Sequence, residues 1–331
     1  MTKFIVVVAL LAFAGIASAY TYKADTLAPM WGAWKAQNKK AYSAAEELTR
    51  FGIFIENFNK IQKLNAESTD VKYAVNKFAD LTATEFKNIY ASGALEENHG
   101  KMVASHSLRR SVGSLPETVD WRNKGGVTPV KDQGQCGSCW AFSTTGTIEG
   151  FNFVNTGELL SFSEQQIVDC ATNAGYGCQG GWPYLAVQYA GQNGLEVEDD
   201  YPYTAKDGTC KFSASKAHKV NSGYQFVTPK STEQLKAAIV NFPVSVLIEA
   251  DQDVFQFYSK GVLSTGCGAD LDHAVLAVGY TKVGVLEAFI VKNSWGTSWG
   301  DSGYIYINTI QAINAGKGVC GILAQPMIPT A

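Results

Sequence analysis

The sequence predicts an α+β protein in which a helical lobe is followed by a β-rich lobe. Between residues 115 and about 212, apolar residues recur at helical spacing, and this stretch holds five of the seven cysteines. From about residue 213 to residue 331, short apolar runs separated by glycine and turn residues are typical of strands. Residues 20–114 contain no cysteine and carry one long helical pattern. A cleft between two lobes is a common place for a substrate site.

The composition is that of a globular protein, with 46% hydrophobic and 17% charged residues among 331. A net charge of −3 favours neither nucleic acid nor an anionic membrane as a partner. The charge is unevenly spread: residues 20–114 have 13 Lys and Arg against 10 Asp and Glu, whereas residues 115–331 have 13 against 20. We therefore expect a partly electrostatic contact between these two segments, which protonation of carboxylates would weaken.

Residues 1–19 have the features of a secretory signal peptide. Lys3 supplies the charged start, an apolar stretch runs from Phe4 to Phe13, and Ala17-Ser-Ala19 supplies a small-residue cleavage site. A transmembrane anchor is the alternative, but the apolar run is short for a bilayer, and no other segment reaches membrane length. We expect entry into the secretory pathway without a membrane anchor. The destination is a lysosome-like acidic vacuole or the outside of the cell.

The helical pattern in residues 20–114 predicts one long amphipathic helix from Glu46 to Asn65. Its apolar residues recur at three- and four-residue steps: Leu48, Phe51, Phe54, Phe58, Ile61 and Leu64. After Phe86 the periodicity is lost, and residues 91–114 are expected to form an extended, cleavable linker.

Helices and strands then follow in two groups. Helices are predicted after Cys139, from a capping box at Ser163–Gln166 towards Cys170, over Trp182–Ala190, and from Ser231–Gln234. Tight loops or turns are predicted at Gly177–Gly181 and Asp199–Tyr203. Four runs then predict strands: Val244–Ile248, Ala274–Tyr280, Ala288–Lys292 and Tyr304–Asn308.

Cys139 lies in a Gly- and Ser-rich turn, three residues after Cys136 and directly before a helical pattern. At the start of a helix, unpaired backbone N–H groups and the positive end of the macrodipole favour a thiolate. The residues alone leave three interpretations open: a nucleophile, a disulfide or redox C-x-x-C pair, and half of a zinc site. Zinc is disfavoured, because the chain has no second C-x-x-C pair and no clustered histidines. We expect no metal and no cofactor.

A thiol nucleophile needs a base, and the base needs an orienting partner. After residue 114 the only histidines are His218, in a charged run, and His273, at the start of an apolar strand. His218 is interpreted as a solvated surface residue, which leaves His273 as the candidate base. Asn293 follows another apolar strand and opens a turn, where its amide can accept the imidazole N–H. Trp295 can shield that hydrogen bond from water.

The run Cys136-Gly-Ser-Cys139-Trp resembles the signature of the papain and cathepsin L family of cysteine proteases. Two further patterns are similar to the inhibitory propeptide of cathepsin L-like members. The first, E-x3-R-x3-F-x2-N-x3-I-x3-N, is met by Glu46, Arg50, Phe54, Asn57, Ile61 and Asn65. The second, G-x-N-x-F-x-D, appears as Ala74, Asn76, Phe78 and Asp80, with alanine in place of the glycine. Leu115 to Trp121 resembles the mature start of the family.

The resemblance implies a two-lobed papain-like fold with a helical left lobe and a β-barrel-like right lobe, preceded by a helical inhibitory propeptide. The implied domains are a signal peptide at 1–19, a propeptide at 20–114 and a peptidase domain at 115–331, with lobes at about 115–212 and 213–331. Cys139 would be the nucleophile, His273 the acid and base, Asn293 its orienter and Gln133 the oxyanion donor. The implied disulfides are Cys136–Cys178, Cys170–Cys210 and Cys267–Cys320.

The resemblance also implies the residues that contact substrate. They are Gly137, Gly180, Gly181, Trp182, Pro183, Leu247, Asp272, Ala274, Trp295 and Gln325. The pocket for the second residue before the cut bond would be lined by Trp182, Pro183, Leu247 and Ala274, with Gln325 at its floor. Its apolar walls predict a preference for Leu, Val or Phe. The Gln325 amide supplies no charge to hold Arg, but it predicts some tolerance of polar side chains.

The function implied is that of a cysteine endopeptidase, made as a zymogen and activated by removal of the propeptide. We see no paired-histidine insertion like that of cathepsin B-like carboxydipeptidases, which favours an endopeptidase. Implied partners are protein and peptide substrates, the propeptide itself and cystatin-like inhibitors, and a monomer is expected. Two alternatives remain: an inactive protease-like binding or storage protein, and a thiol–disulfide oxidoreductase that uses Cys136 and Cys139.

Overall fold

The structure is a computed structural model that describes residues 22–95 and 114–331. The predicted signal peptide and most of the predicted linker lie outside the described residues. The α-helices are α1 (Ala24–Asn38), α2 (Ala44–Glu67), α3 (Ala83–Tyr90), α4 (Cys139–Thr156), α5 (Glu164–Cys170), α6 (Pro183–Asn193), α7 (Thr232–Ile239) and α8 (Asp253–Gln256). The strands are β1 (Val71–Tyr73), β2 (Val119–Asp120), β3 (Gly223–Phe226), β4 (Val244–Ile248), β5 (Tyr258–Leu263), β6 (His273–Val283), β7 (Leu286–Lys292), β8 (Tyr304–Asn308) and β9 (Met327–Thr330).

The predicted amphipathic helix is confirmed as α2. The Ser43 hydroxyl caps it by accepting a hydrogen bond from the Glu46 N–H at 3.3 Å. Helix α2 packs against α1, which the periodicity of the sequence did not predict. The aromatic side chains between them form a small core of their own: Trp31, Trp34, Tyr42, Phe51 and Phe54.

Two asparagines of the first propeptide pattern fix the chain that returns along α2. Asn57, only 3% exposed, donates to the carbonyl oxygens of Ala79 and Leu81 at 2.9 Å each. The Asn65 amide both donates to and accepts from the Tyr73 backbone, at 2.8 and 2.9 Å. These buried bonds explain why amides recur at fixed positions on an otherwise amphipathic helix.

Helix α4 is the central element of the helical lobe, and its residues are buried from Cys139 to Asn152. It packs against α5 and α6 on one side and against strands β4 and β6 on the other. Two glycines make the second contact close. A side-chain carbon on Gly146 would lie 2.8 Å from Leu276, and one on Gly150 would lie 2.4 Å from Pro243. The helix that begins at Cys139 is therefore held between the two lobes.

The strands form one sheet in the order β1-β5-β8-β7-β6-β4-β9-β3, with β2 paired to β6. Strands β5 and β8 are parallel, and the other pairs are antiparallel. The two-lobed α+β prediction is confirmed. The described strands leave the sheet open rather than closed into a barrel, since β1 and β3 end it without pairing with each other.

Strand β1 belongs to the predicted propeptide, yet it extends the sheet of the β lobe. Val71 lies opposite Gly261 in β5. A side-chain carbon on Gly261 would lie 2.1 Å from the Asp70 carbonyl oxygen, so only glycine permits this approach. The propeptide is thus joined to the β lobe by backbone hydrogen bonds as well as by side chains.

Most predicted elements of the two lobes are confirmed, with small shifts at their ends. The four predicted strands are β4, β6, β7 and β8. The predicted capping box is only half formed. Ser163 Oγ accepts the Gln166 N–H at 2.9 Å, but the Gln166 side-chain amide donates to Tyr189 and Gly194 instead of returning to Ser163.

Candidate active site

Cys139 is the first residue of α4, and its side chain is completely buried. Its Sγ accepts a hydrogen bond from the Ala274 N–H at 3.5 Å, so strand β6 reaches the thiol directly. Cys139 is the free cysteine of the chain, and the other six form the three predicted disulfides: Cys136–Cys178, Cys170–Cys210 and Cys267–Cys320. Because Cys136 is bonded to Cys178, the structure excludes the thiol–disulfide exchange pair of Cys136 and Cys139.

His273 begins strand β6 and is held by Asn293. Its Nε2 lies 2.7 Å from Asn293 Oδ1. The Ser294 N–H also donates to Oδ1, at 2.8 Å, which identifies this atom as the acceptor and places the imidazole proton on Nε2. His273 Nδ1 has no hydrogen-bond partner, and the Cys139 thiol reaches strand β6 at the next residue, Ala274. The Trp295 ring stacks on the imidazole at 4.6 Å, and so covers this arrangement from water.

Gln133 is also fully buried, and its amide is held at both ends. Nε2 donates to the Cys136 carbonyl at 3.0 Å, and Oε1 accepts the Ser294 hydroxyl at 2.7 Å. The Gln133 N–H donates to the Ser294 carbonyl at 2.8 Å. The amide NH₂ is therefore turned towards the segment that leads to Cys139.

The cleft is filled by the segment Gly93-Ala94-Leu95 of the predicted propeptide. Gly93 O accepts the Gly181 N–H at 3.1 Å, and the Leu95 N–H donates to Gly181 O at 3.0 Å. Ala94 pairs with Gly181 in the parallel sense, and its N–H donates to Asp272 O at 3.1 Å. The cleft thus binds its own chain through backbone hydrogen bonds to both lobes.

Gly93 lies closest to the reactive atoms, packed against Cys139 and Gly137. Its carbonyl oxygen is engaged by the Gly181 N–H, while the Gln133 amide donates elsewhere. The segment therefore covers the thiol without presenting a carbonyl oxygen to Gln133.

Burial in the filled cleft moves both titrating groups towards their neutral forms. It raises the pKa of the Cys139 thiol to about 12 and lowers the pKa of the His273 imidazole to about 4. Between these values neither group is charged. The thiolate predicted at the start of the helix is therefore not the resting form of the covered site.

The predicted substrate-contact residues surround this segment. Gly180 leaves room for its backbone, since a side-chain carbon there would lie 3.1 Å from Gly93 O, whereas one on Gly137 would lie 2.5 Å from Cys178 O and one on Gly181 2.5 Å from the Trp140 ring. Asp272 contributes its carbonyl, and burial raises the pKa of its carboxyl to about 8.

The Leu95 side chain borders a pocket between the lobes. Three of the predicted lining residues are found there: Pro183, Leu247 and Gln325. Trp182 and Ala274 do not border this space while the propeptide fills the cleft. Trp182 packs against Tyr176 at 6.0 Å, and Ala274 packs against Cys139 and Ala94. Four residues that were not predicted complete the lining: Tyr184, Phe226, Ser245 and Met327.

Beyond the cleft, three aromatic rings of the propeptide surround Trp295. Phe78, Phe86 and Tyr90 lie 5.4, 5.3 and 6.2 Å from it, centroid to centroid. Asn76 adds a 2.7 Å hydrogen bond to the Gln256 carbonyl. The propeptide therefore covers the indole that stacks on His273 as well as the thiol.

Among the described residues, three ion pairs link propeptide lysines to aspartates of the acidic domain, as the charge asymmetry predicts. They are Lys60–Asp253 at 3.3 Å, Lys77–Asp132 at 2.7 Å and Lys87–Asp251 at 2.6 Å. In the part of the chain that the structure describes, no cluster of His, Cys, Asp or Glu can hold a metal ion. No helix within those residues is long and apolar enough to span a membrane.

Comparison with known families gives the same assignment for both parts of the chain. Residues 115–330 match the family described as papain family cysteine protease, and residues 31–86 match the cathepsin propeptide inhibitor domain (I29). The chain belongs to the papain family of cysteine proteases. This papain-family protease is a cysteine endopeptidase of protein substrates, and its propeptide makes it an autoinhibited zymogen.

Relatives of the papain-family protease are similar over nearly its whole length. Thiol protease SEN102 from Hemerocallis sp. is 42% identical, covering 92% of this chain and 86% of that protein. Caricain from Carica papaya is 40% identical, covering 92% and 88%. The proform of the ragweed pollen cysteine protease Amb a 11 superposes with a TM-score of 0.84 at 35% identity, covering 93% and 95%. Digestive procathepsin L 3 from Tenebrio molitor larval midgut superposes with a TM-score of 0.82 at 36% identity, covering 92% of this chain and 99% of that one.

The sequence did not single out several residues that shape this protease's site. Leu95 was placed in a linker, and Ser294 was noted only as part of the turn after Asn293. Tyr203 was placed in a turn, yet its hydroxyl contacts Gln133 and Ser138. Each had a weak signal in the sequence. Leu95 is an apolar residue within an aperiodic stretch, Ser294 carries a hydroxyl next to the orienting asparagine, and Tyr203 is an aromatic residue after a proline.

Proposed function

We propose that Cys139, His273, Asn293 and Gln133 carry out the peptidase reaction. The observation that supports this most directly is the state of the imidazole. Asn293 fixes the proton on Nε2 and leaves Nδ1 without a hydrogen-bond partner, while the free thiol of Cys139 accepts the N–H of Ala274, the residue next to His273. That is the arrangement which a proton transfer from Cys139 to His273 requires.

The reaction then proceeds in two stages. Cys139 transfers its proton to His273 Nδ1, and the thiolate attacks the carbonyl carbon of the scissile bond. The negative charge on the oxygen is stabilised by the Gln133 side-chain amide and the Cys139 N–H. His273 returns the proton to the leaving amine, which leaves a thioester on Cys139. A water that transfers its proton to His273 hydrolyses the thioester and regenerates the thiol.

Removal of the propeptide switches the site on through electrostatics. When Gly93 leaves, water returns to the cleft, and the desolvation that disfavours both charged forms decreases. The position of the thiol at the N-terminus of α4 then favours the thiolate, and the adjacent imidazolium stabilises it. We expect acid to promote this step by weakening the electrostatic contact between the propeptide and the acidic domain.

The pocket beside Leu95 selects the second residue before the cut bond. Its lining is mostly apolar, with the Gln325 amide, 4% exposed, as a polar element. We expect Leu, Val or Phe to be preferred there, with some tolerance of polar side chains and no preference for Arg.

The protease is further proposed to act as a monomer in an acidic compartment of the secretory pathway or outside the cell. Three disulfides are typical of an oxidising compartment. The relatives include plant proteases with the same propeptide arrangement. Cystatin-like inhibitors would bind the cleft once the propeptide has left it.

The deciding experiment compares acid-treated wild type with Cys139→Ala and Cys139→Ser on a fluorogenic peptide. We expect cleavage by wild type only. We also expect the activity of wild type to fall as Cys139 becomes alkylated. Activity that survives in Cys139→Ala would show that another group is the nucleophile. A wild-type chain that loses its propeptide yet cleaves nothing would support the alternative of an inactive, protease-like binding protein.

A further inference from the structure

The Tyr203 hydroxyl bridges the two segments that carry the proposed oxyanion donors. It donates to the Gln133 carbonyl at 2.8 Å and lies 2.6 Å from Ser138 Oγ. Because a carbonyl oxygen can only accept, the single proton of Tyr203 lies in the bond to Gln133. The Ser138 hydroxyl therefore donates to Tyr203, and the chain of hydrogen bonds runs from Ser138 through Tyr203 to Gln133. Ser138 directly precedes Cys139, whose N–H is the second donor.

Tyr203 is itself held firmly. Its ring packs edge-on against Phe142 of α4, with centroids 4.9 Å apart at 79°. Its N–H donates to Glu198 Oε1 at 2.9 Å. Burial raises the pKa of the phenol well above its usual value, so the hydroxyl stays protonated and remains a donor. The bridge is fixed in the protein before any substrate arrives.

The segment that Tyr203 bridges contains two glycines and is restrained at its middle by the Cys136–Cys178 disulfide. Gly134 has a φ of 62°, and Gly137 supplies a second residue without a side chain. Ser138 precedes the helix but makes no side-chain cap to it, because its hydroxyl is used by Tyr203. The Tyr203 bridge therefore acts together with the disulfide and the bond from Gln133 to the Cys136 carbonyl, and it is the contact that joins Gln133 directly to Ser138.

We infer that Tyr203 is a positioning residue that sets the spacing of the two oxyanion donors. The inference rests on the proposed roles of Gln133 and Cys139. Tyr203 touches neither substrate nor thiol; it acts through the backbone of Gln133 and the hydroxyl of Ser138. Donors fixed in advance stabilise the developing oxyanion most, and looser donors stabilise it less.

The test is Tyr203→Phe, which keeps the ring against Phe142 and removes only the hydroxyl. We expect kcat on a peptide substrate to fall about 10-fold with KM unchanged, less than the 10²–10³-fold typical of losing a whole donor. The rate and pH profile of Cys139 alkylation by iodoacetamide should stay as in wild type, because displacement of iodide develops no oxyanion. A merely structural role would change both.

The matched control is Tyr201→Phe, in the same segment. Its hydroxyl donates to Asp169 Oδ2 at 2.8 Å and accepts the Lys211 N–H at 3.1 Å, so its partners differ from those of Tyr203. We expect wild-type kcat. Active sites are counted by titration with an irreversible inhibitor, so that a loss of folded protein is not mistaken for a loss of rate.

Ser138→Ala tests the same bridge from its other end and carries the experiment if Tyr203→Phe fails to fold. It should lower kcat about 2- to 10-fold, as for one neutral hydrogen bond, and add little to Tyr203→Phe in the double variant. The inference is overturned if both single variants keep wild-type kcat, or if alkylation slows as much as kcat. Gln133→Ala distinguishes a failure of the inference about Tyr203 from a failure of the proposed oxyanion site. If Gln133→Ala leaves kcat unchanged, the proposed oxyanion site itself is wrong.

Discussion

A side-chain carbon placed on Gly93 would lie 2.8 Å from the Sγ of Cys139 and 2.4 Å from the Gly137 carbonyl oxygen. Gly93 does not have a positive φ, so its backbone conformation does not require glycine. What excludes a larger residue is the distance to the thiol and to the segment beside it. The seal over the nucleophile depends on a residue that has no side chain.

Gly93→Ala should therefore weaken autoinhibition. Overpacking of this kind costs roughly 1–3 kcal/mol, which corresponds to an affinity of the cleft for its propeptide reduced about 5- to 150-fold. The measurement is the half-time of processing of the full chain at a pH where wild type is slow. Gly52→Ala is the control, since nothing lies within 4 Å of its added carbon. An unchanged half-time for Gly93→Ala would contradict the expectation.

The thiol of the intact zymogen should be nearly inert. Its pKa is raised to about 12, so the thiolate forms only as the pH approaches that value, and the imidazolium of His273 forms only below about 4. At pH 6–7 we expect iodoacetamide to react at least about 100-fold more slowly with the intact chain than with the processed enzyme. Mass spectrometry reads this out directly, because the other cysteines are in disulfides. Equal rates in the two forms would show that the propeptide does not suppress ionisation.

The ion pairs between propeptide and acidic domain should contribute modestly and in a salt-dependent way. The side chains of Lys87 and Asp251 are 51% and 14% exposed, and such pairs are typically worth up to about 1 kcal/mol. Lys87→Ala should speed processing by up to about fivefold at low salt, and the difference should shrink at high salt. Lys63→Ala is the control, because Lys63 pairs with Glu67 inside α2 at 3.9 Å. A salt-independent effect of Lys87→Ala would point to packing instead of charge.

Glu85 should contribute to the response of the propeptide to acid. Its carboxylate accepts from Arg50 at 2.8 Å and caps α3 at Thr82, and the Arg50 hydrogen bond holds its pKa below the usual 4.5. A carboxyl with a lowered folded-state pKa stabilises the fold above its unfolded value, and this stabilisation is lost as the pH falls through the folded-state value. The propeptide should therefore weaken as the pH drops below about 4.5.

Glu85→Gln tests this expectation. It should speed processing at pH 6–7 and flatten the rise in rate below pH 5, measured by gel densitometry across the pH series. Glu46→Gln serves as the comparison, because Glu46 lies 3.4 Å from the same arginine but caps no part of α3. If Glu85→Gln kept the wild-type pH profile, other groups would account for the acid response.

Substrate preference should depend on Gln325. A panel of fluorogenic peptides that vary the second residue before the cut bond should give higher kcat/KM for Leu, Val and Phe than for Arg. Gln325→Glu introduces a carboxylate into the pocket and should raise kcat/KM for Arg about tenfold or more, as expected for a hydrogen bond to a charged group. Strong preference of the wild type for Arg over Leu would overturn the apolar assignment.

The local sequence pattern predicted those helices and strands whose apolar residues lie on a single buried face. Helix α2 and the four β-lobe strands repeat their apolar residues at the spacing that burial requires. His273 was identified because it was one of two histidines in the peptidase domain and began an apolar strand. Its bond to Asn293 joins residues 20 positions apart, and it was expected because Asn293 opens a turn after an apolar strand and matches the family's orienting residue.

The features that sequence did not predict are held by tertiary contacts. Gly93 to Leu95 have no periodicity, because their hydrogen bonds go to Gly181 and Asp272 and not to each other. Lys131 was not singled out from the sequence, yet it pairs with the buried Glu164 at 2.7 Å. No local signal distinguishes a charge that finds a buried partner from one that faces water.

The pairing of β1 with β5 has a consequence for the mature enzyme. Once the propeptide departs, the outer edge of Tyr258–Leu263 loses its neighbour and presents unsatisfied backbone groups to solvent. Unpaired strand edges can form hydrogen bonds with strands of other molecules, and a lysine on the edge commonly prevents this pairing. Lys260 is exposed in the middle of this strand. Maturation therefore exposes an unpaired strand edge as well as the catalytic cleft. The charge of Lys260 opposes pairing of this edge with the same edge of another mature molecule.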